Sequence, residues 1–177
     1  MQRGLVAIVA LLPVFASAQS GQNNWGVRVG VSRFINSDMR DYLGNSKFTF
    51  GVTPISVARP GDWKIATDID FDFANENGNR LVLIPLTVGV MKRFGNNPDS
   101  APYVAIRGGI AYADYSITDR SSARRSHRGV LPTANAEVGI VLKDNIKLAA
   151  RYDWFGQRDG FTFDAIQLNL SVGLFKF

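Results

Sequence analysis

Three carboxylates stand two apart at Asp68, Asp70 and Asp72, and four arginines, Arg120, Arg124, Arg125 and Arg128, crowd into nine positions further on. Each group could do chemistry. Spacing of two along an extended chain puts all three acids on one face, where their mutual repulsion demands a cation, a proton or basic side chains nearby. Arginine forks match the paired oxygens of a phosphate. A third candidate is the sole histidine, His127, beside Ser126 and ten positions before Glu137. A serine, a histidine and an acid are the parts of an acyl-transfer or hydrolytic site. Adjacent residues of a strand point to opposite faces, however, so Ser126 and His127 cannot converge from one strand. With no cysteine in the chain, disulfides and thiolate metal sites are excluded. Nothing else resembles a nucleophile, a phosphate loop or a metal site, so neither a metal nor a cofactor is expected.

The elements that position these groups begin after a leader. Arg3 gives a short positive start, Leu5 to Phe15 is apolar apart from Pro13, and Ala16-Ser17-Ala18 fits the small-x-small rule of signal-peptidase cleavage. The apolar stretch is shorter than the roughly 20 residues a spanning helix needs. Residues 1–18 are therefore expected to be a cleaved signal peptide, leaving Gln19 to Phe177 as one domain. The basic balance, +5 over the whole chain, suits anionic partners. For an exported chain those are lipid phosphates sooner than nucleic acid.

Beyond the leader no window shows the apolar spacing of a convincing helix; alternation with period two recurs instead, the mark of strands with two unlike faces. Eight segments can be read: Trp25–Phe34, Lys47–Ala58, Trp63–Ala74, Leu81–Phe94, Tyr103–Tyr115, Leu131–Lys143, Ile146–Phe155 and Phe161–Phe177. The third is the clearest, with Trp63, Ile65, Ile69, Phe71 and Phe73 on one face and the three aspartates on the other. In the second, Pro54 predicts a bulge or local irregularity, since proline cannot donate to a ladder.

A soluble sandwich also alternates, but two features favour a barrel in a membrane. The polar faces carry small residues such as Gly26, Gly30, Gly51, Gly89, Gly109, Gly139 and Gly173, as a cramped barrel interior requires. Connections alternate too, compact at 59–62, 95–102 and 144–145, longer and polar at 35–46 and 116–130, intermediate at 75–80 and 156–160. Short turns on one side and longer loops on the other organise outer-membrane barrels. Aromatics gather near segment ends, with Trp25, Trp63, Phe94, Phe175 and Phe177 at one rim and Phe73, Tyr112, Tyr115, Trp154 and Phe161 at the other, which suits two interfacial girdles. The expected fold is all-β, an eight-stranded antiparallel up-and-down transmembrane barrel.

With these features the chain resembles the small eight-stranded outer-membrane barrels, of the outer membrane protein X and outer membrane protein A transmembrane-domain type, over essentially its whole length after the leader. The most specific local element is the end, Val172-Gly173-Leu174-Phe175-Lys176-Phe177. In that family a terminal aromatic is read by the barrel-assembly machinery, a role the resemblance gives to Phe177. The family would keep the apolar face in phase with Phe177; here Leu168, Leu170, Val172 and Leu174 hold the other phase, so the register shifts between Leu174 and Phe175. The resemblance implies an outer-membrane location of Gram-negative type, a monomer, and lipid with lipopolysaccharide as surroundings. Lipid A deacylases, which also use eight strands, set His and Ser two apart, unlike His127 and Ser126.

By strand phase the polar faces of the other segments bring Arg28, Arg107, Lys147 and Arg151, with Glu137 and Asp153, into the same interior as Asp68, Asp70 and Asp72. The expectation is an ionic network that satisfies the lumen, the aspartates pairing chiefly with Arg107 and Arg151, and no metal. Arg120, Arg124, Arg125 and Arg128 are read either as a solvated loop or as a patch for lipopolysaccharide phosphates. The leading functional expectation is a non-enzymatic outer-membrane protein contributing to envelope integrity or surface interaction. A narrow solute channel comes second and a lipid A-modifying enzyme third.

Overall fold

The computed structural model describes residues 23–56, 61–95, 97 and 99–176. The leader expected at 1–18 and the terminal Phe177 lie outside the described residues. Eight strands in chain order, each antiparallel to the next, close into one barrel when the last pairs with the first. They are β1 (Asn23–Phe34), β2 (Ser46–Ser56), β3 (Trp63–Glu76), β4 (Asn79–Arg93), β5 (Ser100–Thr118), β6 (Arg124–Leu142), β7 (Ile146–Phe155) and β8 (Ala165–Lys176). The start of β1, the end of β8 and the described ends of β2, β4 and β6 share the near end; the other connections make the far end.

The alternation of the sequence becomes two physical surfaces. Outward side chains are large, apolar and uncovered, with Leu168 at 68% exposure, Ile106 at 66% and Val138 at 58%. A sheet face this apolar suits hydrocarbon, whereas patches beyond a few hundred Å² are rare on soluble monomers. Trp63 and Phe94 stand outward at the near end, where the Lys92 ammonium lies 5.3 Å and 5.9 Å from their ring centroids. Phe48, Phe73, Tyr152 and Trp154 stand outward towards the far end. Two residues placed in that far girdle by sequence belong elsewhere: Tyr115 and Phe161 are buried and pack edge-on inside the barrel. Tyr115 has the parity of Tyr103 and Arg107, hence the inward face, and Phe161 precedes β8 in the loop that folds over the mouth.

The interior is layered. An apolar layer with Ala66, Met91, Tyr103 and Val141 lies towards the near end. A second, larger one fills the far end with Phe34, Met39, Leu43, Phe155, Phe161 and Phe163. Between them lies the charged layer. Glycine makes room for it at Gly51, where a Cβ would sit 2.1 Å from the Asp70 carboxylate.

Three local readings need revision, and a fourth holds. The 35–46 connection holds a short helix, α1 (Ser37–Leu43), started by Asn36, whose side-chain oxygen accepts from the Asp38 N–H at 2.8 Å, and ended at Gly44 with φ of 83°. Met39 and Leu43, four apart, turn into the far apolar layer; one helical turn of contact is too short to register as periodicity. The long loop expected at 116–130 is mostly strand, because β5 and β6 stay paired out to Thr118 and Arg124. Apart from Ile117 and Val130 the side chains there are polar or absent on both faces, which hides the alternation while the backbone ladder continues. Around Pro54 the β1–β2 register runs without a shift. The irregularity falls on the other edge, where among the described residues the β2–β3 ladder covers only Phe48–Val52 with Ile69–Phe73. The shift expected between Leu174 and Phe175 appears as a jump from Trp25–Phe175 to Gly26–Gly173, which leaves Leu174 as the extra residue.

Candidate functional site

Inward parity carries charge to the barrel axis from six strands. Arg28 on β1 is the hub. Its guanidinium reaches Asp68 at 3.1 Å, Asp70 at 3.1 Å and Glu137 at 3.5 Å. Arg107 on β5 meets Asp68 at 3.1 Å and Glu137 at 3.3 Å. Arg151 on β7 meets Asp70 at 2.7 Å and Asp153 at 2.8 Å. Lys147 approaches Glu137 at 3.7 Å, and that carboxylate also accepts the Tyr103 hydroxyl at 2.6 Å. Among the described residues Asp72 has no arginine partner; it pairs with Lys47 and accepts the Thr49 hydroxyl at 2.6 Å. Lys47, at the start of β2, was absent from the sequence inventory. It shares parity with Thr49 and Gly51, but it precedes the apolar alternation that announces the strand.

These ten side chains are at most 3% exposed. Burying ions is costly unless each is paired and hydrogen-bonded, and here five cations (Arg28, Lys47, Arg107, Lys147, Arg151) face five carboxylates (Asp68, Asp70, Asp72, Glu137, Asp153). With apolar layers above and below, the axis is occupied by side chains. Single-channel recording across a planar bilayer is expected to give a flat trace; discrete conductance steps would mean that the layers part.

The basic run divides into two. Arg120, at the β5–β6 turn, bonds Asp41 of α1 and lies 3.3 Å from Asp38, so it ties the turn to the helix. Arg125 turns over the mouth, donating to the Asp159 carbonyl at 2.8 Å and pairing with Asp119 at 3.2 Å. Asp119 itself is held below the usual carboxylate range by the Ser121 hydroxyl and by the Ser121 and Ala123 N–H groups. A depressed carboxyl supports this turn above its ordinary titration range and ceases to as pH falls through the depressed value. Arg124 and Arg128 have outward parity. They lie with Arg80 of β4, which the sequence reading did not single out, beside one carboxylate, Asp114, at 3.0 Å from Arg80 and 2.9 Å from Arg128, while Arg124 donates to the Ser116 hydroxyl at 2.8 Å. Asn75, Ser116 and Ser126 complete a polar hollow there of about 650 Å³. Asp114 is paired across the sheet with Val82 and Arg128, so the patch sits one outward step beyond the apolar belt.

Ser126 lies on that outer surface, whereas the His127 ring packs against Tyr115 at 5.7 Å between centroids, and Glu137 is in the lumen. The three groups weighed for hydrolysis are not brought together. Among the described residues, no cluster of three or more His, Asp or Glu has the arrangement to hold a metal ion.

No family model matches the chain, and no curated protein sequence matches it. Solved structures do. The N-terminal β-barrel domain of Pseudomonas aeruginosa OprF superposes with a TM-score of 0.54 at 14% identity, over 89% of this chain and 100% of that one. The outer membrane enzyme PagL gives 0.60 at 10% identity, over 84% and 99%. Ail of Yersinia pestis, solved in complex with the heparin analogue sucrose octasulfate, gives 0.51 at 12% identity, over 89% and 100%. At such identities the likeness is one of fold: this chain has the fold of the small eight-stranded outer-membrane barrels.

Proposed function

We propose that this protein is a non-enzymatic outer-membrane barrel whose far rim holds the phosphates of lipopolysaccharide, and so contributes to the integrity of the envelope. In this reading residues 1–18 direct export, Phe177 is presented to the barrel-assembly machinery, and the barrel acts as a monomer with its far end outside the cell. The observation that carries the reading is one outward hollow lined by Arg80, Arg124 and Arg128, in which Asp114 is the single carboxylate. Three guanidinium groups against one acid leave a surplus of positive charge just beyond the lipid-facing belt, at the depth where phosphorylated sugars are dense. One exposed ion pair contributes little, so the trio must act jointly. The fold is compatible with such a ligand, since Ail carries a sulfated sugar.

The test is a triple variant, Arg80→Gln/Arg124→Gln/Arg128→Gln. It is expected to fold, shown by heat-modifiable migration, and to bind purified lipopolysaccharide about tenfold more weakly at low ionic strength, with a smaller difference at high salt. Arg120→Gln/Arg125→Gln, whose guanidiniums are committed to the helix and the mouth, is expected to bind like the parent. Unchanged binding by the triple variant at low salt would return these residues to a solvated rim.

A further inference from the structure

A second basic site lies on the barrel wall at β8, β1 and β2. A groove of about 790 Å³ is lined by Arg33, Arg40 and Asn45 together with Val31, Ile166 and Leu168. Arg33 has outward parity on β1, pairs across the sheet with Ser46 and Ile166, and is exposed. Among the described residues its guanidinium has no ion pair, in contrast to Arg80 and Arg128, which share Asp114. Arg40 reaches back from α1 and donates through one nitrogen to the carbonyls of Phe34 at 2.9 Å and Ile35 at 2.6 Å. That anchoring holds its charge over the groove and leaves the other donors of the fork unused by those carbonyls.

No carboxylate lines the groove. The nearest by ladder position is Asp164, whose side chain already accepts from the Phe155 N–H at 3.0 Å and the Tyr152 hydroxyl at 3.2 Å on the β7 side. Immediately beneath Arg33 the wall is apolar. Val31 is paired with Leu168 on one side and Phe48 on the other, and these three are 58%, 68% and 54% exposed. Two cations without a counter-ion therefore stand directly on top of bare hydrocarbon-facing surface. A free anion could use only the upper half. A phosphate attached to acyl chains uses both, because its charge meets the guanidinium groups while its chains continue down the lipid-facing belt.

We propose that this groove binds the acylated phosphosugar of lipid A, with Arg33 and Arg40 gripping one phosphate and Val31, Ile166 and Leu168 contacting the chains. The proposal rests on the far end lying in the outer leaflet, but it does not depend on the Arg80, Arg124 and Arg128 site.

Native mass spectrometry of the whole barrel in detergent, titrated with purified lipid A, counts binding events. The parent is expected to bind two. Arg33→Gln, which disturbs no hydrogen bond in the fold, is expected to weaken one of them about tenfold. Leu168→Asn is expected to weaken the same event, and inorganic phosphate in large excess is expected not to displace it. If Arg33→Gln and Leu168→Asn both retain parental lipid A binding while heat-modifiability shows them folded, the groove is not a lipid site. Displacement by inorganic phosphate alone would make it a free-anion site and overturn the proposal equally. The triple rim variant separates the two readings. If it loses one event and Arg33→Gln the other, both hold. If only Arg33→Gln has an effect, the rim reading fails and the groove stands.

Discussion

Replacing Arg28 with methionine is expected to destabilise the barrel by about 3–5 kcal/mol in refolding titrations, the usual cost of removing one partner from a buried ionic group. Arg28 contacts three carboxylates, and its loss leaves five buried acids facing four buried cations. The deficit cannot be met by water, because apolar layers lie on both sides. Removing Asp70 as well, in Arg28→Met/Asp70→Asn, restores the balance of charge, so the double variant is expected to be more stable than the single. Arg80→Met, at the exposed rim, is expected to cost less than about 1 kcal/mol. If the double variant were as damaging as the two single effects added together, the pair would not be coupled and the lumen would have to be held by packing alone.

The second large effect concerns depth. Ile106 is 66% exposed near the middle of β5, and Val130 is 60% exposed one outward step before Arg128. Arginine at Ile106 is expected to cost about 2–4 kcal/mol, and arginine at Val130 about 0–1 kcal/mol, because the penalty for a cation falls from mid-bilayer to interface. Equal costs at the two positions, measured by urea titration in lipid vesicles, would show that the outward belt does not span a bilayer in this orientation.

The barrel was legible because the period of two survives wherever one face meets hydrocarbon and the other a packed interior. All eight strands were found on that ground, as was the shifted register at Leu174, where the apolar phase breaks before Phe175. The reading failed where the two faces cease to differ. Beyond Tyr115 and before Leu131, Ile117 and Val130 stand alone among polar residues and glycine, so ten residues of strand carry no readable alternation. Helix α1 was hidden for another reason: two apolar contacts, Met39 and Leu43, carry no period. In the lumen the sequence inventory held four cations and five acids. That shortfall was itself a signal, since a buried interior cannot carry an unmatched charge, and Lys47 is the missing partner. The rim trio was out of reach for a different reason. Arg80 is far from Arg124 and Arg128 in the chain and meets them only through the registers of β4 with β5 and β5 with β6.

The charged layer has a consequence for how the barrel forms. Its hub sits on the first strand, and its partners sit on β3, β6 and the neighbours that join them. The strand that seals the wall is the last, with Arg28 opposite Ser171. Hairpins can pair locally and early, but the β1–β8 seam joins the two ends of the chain and is the slowest contact to acquire. Until it closes, an open sheet would present ten ionic groups beside hydrocarbon with their geometry incomplete. Partly closed forms are therefore penalised twice, through an unpaired edge and through stranded charge. Unfolding should then be all-or-none, with tryptophan fluorescence and strand content lost in a single transition.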